Sequence, residues 1–321
     1  MAVPSNPKLS DIQTEFGGSN PIQLTEYYSG GPLVPATSPA PNGPIPSSGT
    51  ITMGDFRGAV KQSFIDASGG TESTSGDYKI HTFTGPGTFT VNATATAPAD
   101  NKVDYLVVAG GAGSGYGQTG DGGGGGGAGG FRESVPSPAA WTASPLANPG
   151  NARPVSATGY PITVGNGGGG SGGGGAGSDG NNSGFSDITS EGGGGGGGSR
   201  PPSAGRSGGS GGGAGGHYGP GSGGTGNAPP VSPPQGRPGG PHPGDAGGGG
   251  GGATQPGPSS GGGNGATTSI NASPVEYSEG GNGGSGPTSN GPTNSGDGGG
   301  TGFSGSASGG SGIVILRYKY Q

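Results

Sequence analysis

No cysteine occurs in this chain of 321 residues, so a disulfide scaffold and a thiolate metal site are both excluded. Charge is scarce as well: Asp, Glu, Lys and Arg make up 9%, and the net charge is −6. A surface this sparsely and negatively charged argues against nucleic-acid binding through a basic face. Apolar residues reach only 24%, with a single tryptophan, so there is little material for an ordinary core. No stretch approaches the ~20 apolar residues of a membrane span, and MAVPSNPKLS at the start holds no apolar leader segment. The three histidines, His81, His217 and His242, lie far apart, and none has a second ligand at metal-binding spacing. There is no GxSxG elbow, and no GK[ST] follows a glycine repeat. The expectation is a protein that is not an enzyme, holds no metal or cofactor, binds no nucleic acid and does not insert into membranes.

What the chain has is glycine: 91 residues, together with 32 prolines. Runs such as 122–127 and 192–198 are pure glycine. They offer no side chains to bury, and glycine loses the most backbone freedom on ordering. If such runs are ordered, their amides and carbonyls must supply the stabilisation, by pairing with one another. A strict Gly-X-Y period is absent, which excludes a collagen helix. The expected fold class is mostly irregular and β: a small β-domain with an inserted polyglycine-II helix bundle, preceded by a docking module of short helices.

Three regions follow from the pattern. Residues 1–65 contain a degenerate repeat, LSDIQTEFGG, LTEYYSGG and MGDFRG, that reads as short helices, with Ser10 and Thr25 as N-caps and Gly17, Gly30 and Gly58 as terminators. Their aromatics Phe16, Tyr27, Tyr28 and Phe56 are the candidate residues for docking on a partner, and a Pro-rich linker lies between the helices. A self-packed domain is the plainer alternative for the same residues. Residues 66–321 read as the β-domain, with strands near 77–92, 103–109, 160–164 and 313–320. Within 77–92 the Gly85-Pro86-Gly87 turn predicts a hairpin. The glycine slab, 110–312, is inserted between strands, and the last strand returns to the first ones.

Segments between the glycine runs, such as 181–191, 199–206, 217–243 and 266–279, carry bulky or charged residues and read as loops at the slab ends. Their candidate receptor-binding residues are Phe185, Arg200, Arg206, His217, Tyr218, Arg237, His242 and Tyr277, with 217–243 as the principal loop. Rigidly held aromatics and arginines bind with little entropy loss. The alternative for the aromatics is burial against the β-domain.

The layout SDIQTEFGGSNPI…EYY…SGTITMGDFRG resembles the N-terminal segments of tailed-phage structural proteins. The pattern YLVVAGGAGSG…GGGGGGAGGFRE…YPITVGNGGGG…GGSGIVILRYKY resembles the glycine-rich domains of phage tail-fibre proteins and the distal adhesins of T-even-type long tail fibres. The resemblance implies a virion protein of tail or fibre, acting outside the cell. Its implied partners are other virion proteins and a host receptor, a glycan or outer-membrane protein, with self-association allowed for. Two alternatives stand beside it: a capsid fibre, decoration or spacer protein without receptor binding, and an ice-binding or matrix glycine-rich protein.

Overall fold

The structure is a computed structural model. It describes all residues except 1, 36, 37, 39, 41, 42, 119, 202, 217–220, 243, 285 and 286. The N-terminal part holds one α-helix, α1 (Leu9–Phe16), and two 3-10 turns, Leu24–Tyr27 and Met53–Phe56. A third 3-10 turn, Pro98–Asp100, lies in the β-region. Helix α1 starts earlier than Ser10: Asp11 Oδ2 accepts the Lys8 N–H at 2.7 Å and satisfies one of the orphan donors at the N-terminus. Gly17 ends the helix at φ 85°, a conformation that suits glycine. Phe16, Tyr27 and Phe56 converge in a core with Val3, Ile12, Val34, Ile45 and Ala59. The rings of Phe16 and Tyr27 each sit 6.1 Å edge-on from Phe56.

Among the described residues fourteen short strands follow: β1 (Asp66–Ser68), β2 (Thr71–Ser75), β3 (Tyr78–Phe83), β4 (Gly87–Ala93), β5 (Lys102–Val108), β6 (Phe131–Val135), β7 (Asn148–Pro149), β8 (Arg153–Pro154), β9 (Gly159–Thr163), β10 (Ser183–Phe185), β11 (Ile188–Ser190), β12 (Ala266–Thr268), β13 (Val275–Tyr277) and β14 (Ile313–Lys319). One sheet has the order β1-β4-β9-β10-β11. A second runs β2-β3-β14-β5-β6-β7, with β8 paired to β5. The third is the β12-β13 hairpin. The apolar run of β14 lies between β3 and β5, antiparallel to both.

Alternation sorts β14 onto two faces. Val314, Leu316 and Tyr318 join Phe83, Phe89, Tyr105, Val107, Ile162 and Phe185 in a core between the two large sheets. Ile313 and Ile315 join Ile80, Leu106, Val108, Phe131, Ile270 and Tyr277 in a second core beneath the β12-β13 hairpin. His81 lies fully buried in the first core, stacked on Tyr318 at 5.6 Å. Its ring bonds the Gly69 carbonyl at 2.7 Å and the Tyr318 hydroxyl at 3.1 Å.

Several expectations are corrected. The chain does not have the fold class of a polyglycine-II helix bundle behind a helical docking module. Its regular structure is three β-sheets, helix is confined to α1 and the 3-10 turns among the described residues, and the glycine runs hold no helical element. The physical reason is their origin: the runs continue the strands, and they bond laterally to neighbouring segments. Nor do residues 77–92 form a hairpin. β3 pairs with β2 and β14, and β4 with β1 and β9, so the turn around Gly85 carries the chain from one sheet to the other. Phe83 and Phe89 on either side of that turn face the same core. Segments 181–191 and 266–279 are not loops but contain the β10-β11 and β12-β13 hairpins.

The glycine segments form an array rooted in the sheets. Strands β5, β9, β11 and β13 run into it, and β6, β10, β12 and β14 emerge from it. Segment 122–130 shows how it is bonded. Gly124 and Gly127 donate to Gly197 and Gly194, Gly125 and Ala128 to Gly248 and Gly251, and Gly126 and Gly129 to Gly299 and Gly296, all at 2.7–3.0 Å. Residues three apart therefore reach the same neighbour, and the segment is gripped from three sides. The spacing leaves no room for a side chain: a Cβ on Gly124 would stand 2.0 Å from the Gly213 carbonyl oxygen. Gly172, on an exposed turn, would have nothing within 4 Å of its Cβ.

Gly124→Ala should cost about 3 kcal/mol or more, because backbone rather than a side chain must move aside, whereas Gly172→Ala should leave stability unchanged. Thermal melts of the two variants check this, and equal melting temperatures would refute the close approach.

Candidate binding surface

The array is rooted in strands at one end, and one set of its turns gathers at the other. Tyr116 N–H donates to Gly175 and Ser199 N–H to the Tyr116 carbonyl, at 3.0 and 3.1 Å. Arg200 N–H donates to Gly174 at 3.0 Å. Gly117 and Gly305 bond reciprocally, as do Gln118 and Asp121. Gly122 N–H donates to Asp245, and Gly216 N–H to Gly122, at 2.7 and 2.8 Å. The turns around 118–121, 172–175, 199–200, 244–246 and 303–305 are thus tied into one distal surface by their own backbones.

Arg200 is exposed here, and its stem lies over the 172–174 turn: a Cβ on Gly174 would meet Arg200 Cγ and Cδ at 3.0 Å. Phe303 is 42% exposed and Asp245 is exposed. His242 is half-buried, and its Nδ1 contacts both the carbonyl and the N–H of Gly244, at 2.9 and 3.3 Å, within its own turn.

Of the sequence-selected receptor residues, Arg200 and His242 stand at this distal end. Arg206 lies on the flank of the array, where Nη1 bonds Asp179 at 3.2 Å and Nη2 donates to the Gly177 carbonyl at 2.6 Å. Asp179 in turn accepts the Gly195 N–H at 2.8 Å, so Arg206 clamps two glycine segments. Arg237 is half-buried within the array, and its carbonyl accepts the Gly211 N–H at 3.0 Å. Phe185 and Tyr277 are core residues at the rooted end. Burial pushes the Tyr277 phenol up to about 12. His217 and Tyr218 lie outside the described residues. The 217–243 segment is not one loop: 222–226 and 236–241 are array segments, bonded for example through Gly224 N–H to Gly212 and Gly240 N–H to Gly249. The docking aromatics Phe16, Tyr27 and Phe56 are buried in their own core, and Tyr28, half-buried, donates its hydroxyl to the Gly49 carbonyl.

A second cluster went unnoticed in the sequence. Asp104, Glu133 and Arg317 sit in β5, β6 and β14, on the face that carries the second core, and all three are buried. The Arg317 guanidinium is sandwiched 4.4 Å from the Trp141 ring and 4.9 Å from the Tyr78 ring. Its Nη1 donates to the Ile270 carbonyl at 3.0 Å. Glu133 accepts the Ser144 N–H at 2.9 Å and the Thr268 hydroxyl at 2.5 Å. Asp104 Oδ1 accepts the Ser134 hydroxyl at 2.8 Å, and that hydroxyl oxygen accepts the Tyr105 N–H at 3.0 Å. Burial pushes the Asp104 carboxyl up to about 6, against the opposing pull of the Ser134 hydrogen bond and of Arg317. A cavity of about 350 Å³ opens beside it. The sequence signal was a lone charge at an inward position of each apolar strand.

Among the described residues no group of three or more His, Cys, Asp or Glu is placed to hold a metal ion. No described helix is long and apolar enough to cross a membrane.

Residues 82–319, from within β3 to the end of β14, match the family model of a glycine-rich domain. The chain belongs to that family. The match covers both large sheets' central strands and the whole array, and it carries no tail-fibre or receptor assignment. No curated protein matches the chain.

Because burial raises the Asp104 pKa, the group's contribution to stability is present below the unfolded carboxyl value and lost as pH rises through about 6. Asp104→Asn should therefore be the more stable form at pH 8, by on the order of 1–3 kcal/mol, with the difference vanishing by about pH 4. Denaturant titrations at the two pH values read this out. A variant less stable than the parent at pH 8 would mean that attraction to Arg317 outweighs desolvation.

Proposed function

We propose that this glycine-rich-domain protein is a structural component of a phage particle, of tail-fibre or adhesin type, that meets the host surface through its distal turns. The observation that carries the reading is the gathering of the turns around 118–121, 172–175, 199–200, 244–246 and 303–305 at the end of the array away from the sheets. Loops held on a rigid scaffold lose little entropy on binding. Arg200 and Phe303, exposed there, are the anchors of this reading, since arginine and aromatic side chains dominate binding hot spots. The partner is a glycan or outer-membrane protein of the host, and residues 1–65 attach the chain to other virion proteins. The protein works outside the cell and is not an enzyme.

The spacer reading, in which the array merely holds other parts apart, makes the opposite forecast for the tip. Particles carrying Arg200→Ala with Phe303→Ala should adsorb to host cells about tenfold less, with unchanged protein content and melting temperature. Undiminished adsorption by such particles would favour the spacer.

A further inference from the structure

The cavity beside Asp104 lies at the rooted end of the molecule, away from the distal surface, and the proposed function makes no use of it. Its walls include Tyr78, Lys102, Asp104, Ser137, Tyr318 and Lys319. We infer that this cavity binds a small ligand through a primary ammonium group that pairs with the Asp104 carboxylate.

Among the described residues Asp104 lacks a partner for its second carboxylate oxygen. It is 7% exposed, yet its hydrogen bonding among the described residues is limited to the Ser134 hydroxyl on Oδ1. Its cross-strand neighbour Arg317 makes no ion pair with it, because the guanidinium is held between Tyr78 and Trp141 and donates to the carbonyls of residues 269 and 270. A buried carboxylate without a paired cation carries an uncompensated desolvation cost. A ligand that donates hydrogen bonds and a positive charge to the second oxygen removes that cost.

The surroundings select the class. Each element packed around Asp104 brings a charged or titratable group: Lys102 on its own strand, Glu133 on β6, Arg317 on β14 and Tyr78 on β3. Lys319 and Asp100 stand farther along the cavity wall. Lys319 Nζ is held 5.2 Å over the Phe64 ring, and Asp100 accepts from Gln62 at 3.3 Å. Two carboxylates, of which Asp100 already accepts from Gln62, set against two lysines in the same wall are a poor host for a divalent metal, which needs several oxygen ligands. A neutral polyol would leave the charge uncompensated. A monovalent ammonium on a short polar stem fits the charge and the ~350 Å³ volume.

Ethanolamine is the probe, with ethylene glycol as its uncharged counterpart, titrated into the full chain and followed by NMR. Ethanolamine should bind at one site, and ethylene glycol should not. Affinity should rise about tenfold between pH 5 and pH 7 as Asp104 ionises. Asp104→Asn should abolish binding, and Lys102→Ala should strengthen it by removing a like charge. If Asp104→Asn fails to fold, the titration of the Asp104 carboxyl in the unaltered protein decides: saturating ethanolamine should lower its midpoint. No binding, equal binding of the two probes, or an Asp104 titration unmoved by ethanolamine would each overturn the inference.

Discussion

Everything in this molecule depends on pairing the backbone groups of a chain that has few side chains to bury. A buried amide or carbonyl left without a partner costs about 1–3 kcal/mol, more than a made hydrogen bond contributes net. In segment 124–130 each amide is paired, and successive residues turn to different neighbours. That requires backbones close enough that a Cβ on Gly124, Gly126 or Gly250 would sit about 2 Å from a carbonyl oxygen. The glycines are thus needed for space, since most in the array have ordinary φ values and only the turns use positive ones. Where the array does admit a Cβ, at Ala112, Ala128, Ala214 and Ala307, the residue is as buried as its glycine neighbours.

An array held only by backbone bonds needs an edge that fixes its register. The two sheets provide it. Phe83, Phe89, Tyr105, Phe185, Leu316 and Tyr318 pack between them, and the strands they belong to hand their direction to the glycine segments. The first pair of segments shows the transfer: Ala109 bonds Gly130, Ala112 bonds Gly127 and Gly115 bonds Gly124, an antiparallel register that continues the β5-β6 pairing outward. Chemistry divides accordingly. The rooted end holds the buried charges and the cavity, while the distal end shows turns, an arginine and an exposed phenylalanine.

How much of this could be read in the sequence depended on whether the signal was local. The apolar run of β14 and the alternation in β3 and β4 are visible by eye, because burial on a strand repeats every second residue. Their pairing was not, since β14 meets β3 across more than two hundred residues, and the turn at Gly85 looked like a hairpin while it was a crossing between sheets. Phe185 and Tyr277 were misjudged for a related reason. Each belongs to a strand of three residues flanked by glycine, too short for alternation to stand out. The order of glycine runs placed loops at both ends of the array, but not which turns gather distally: of the segments read as loops, 199–206 and 217–243 reach that end through Arg200 and His242, while 181–191 and 266–279 hold strand hairpins. Arg206 looks like Arg200 in sequence, yet it is committed to Asp179. The Asp104–Glu133–Arg317 cluster was hidden because its members are spread over three strands, and only the fold brings them together.

The central claim is that the glycine segments are an ordered part of the folded core rather than a coil strung between strands. Native-state hydrogen exchange on the amides of 122–130 and 192–198 tests it most directly. The account predicts that these amides exchange only when the whole domain unfolds, with protection equal to that of β5 and β14. Exchange at unprotected rates in the glycine segments, while β5 and β14 stay protected, would contradict it.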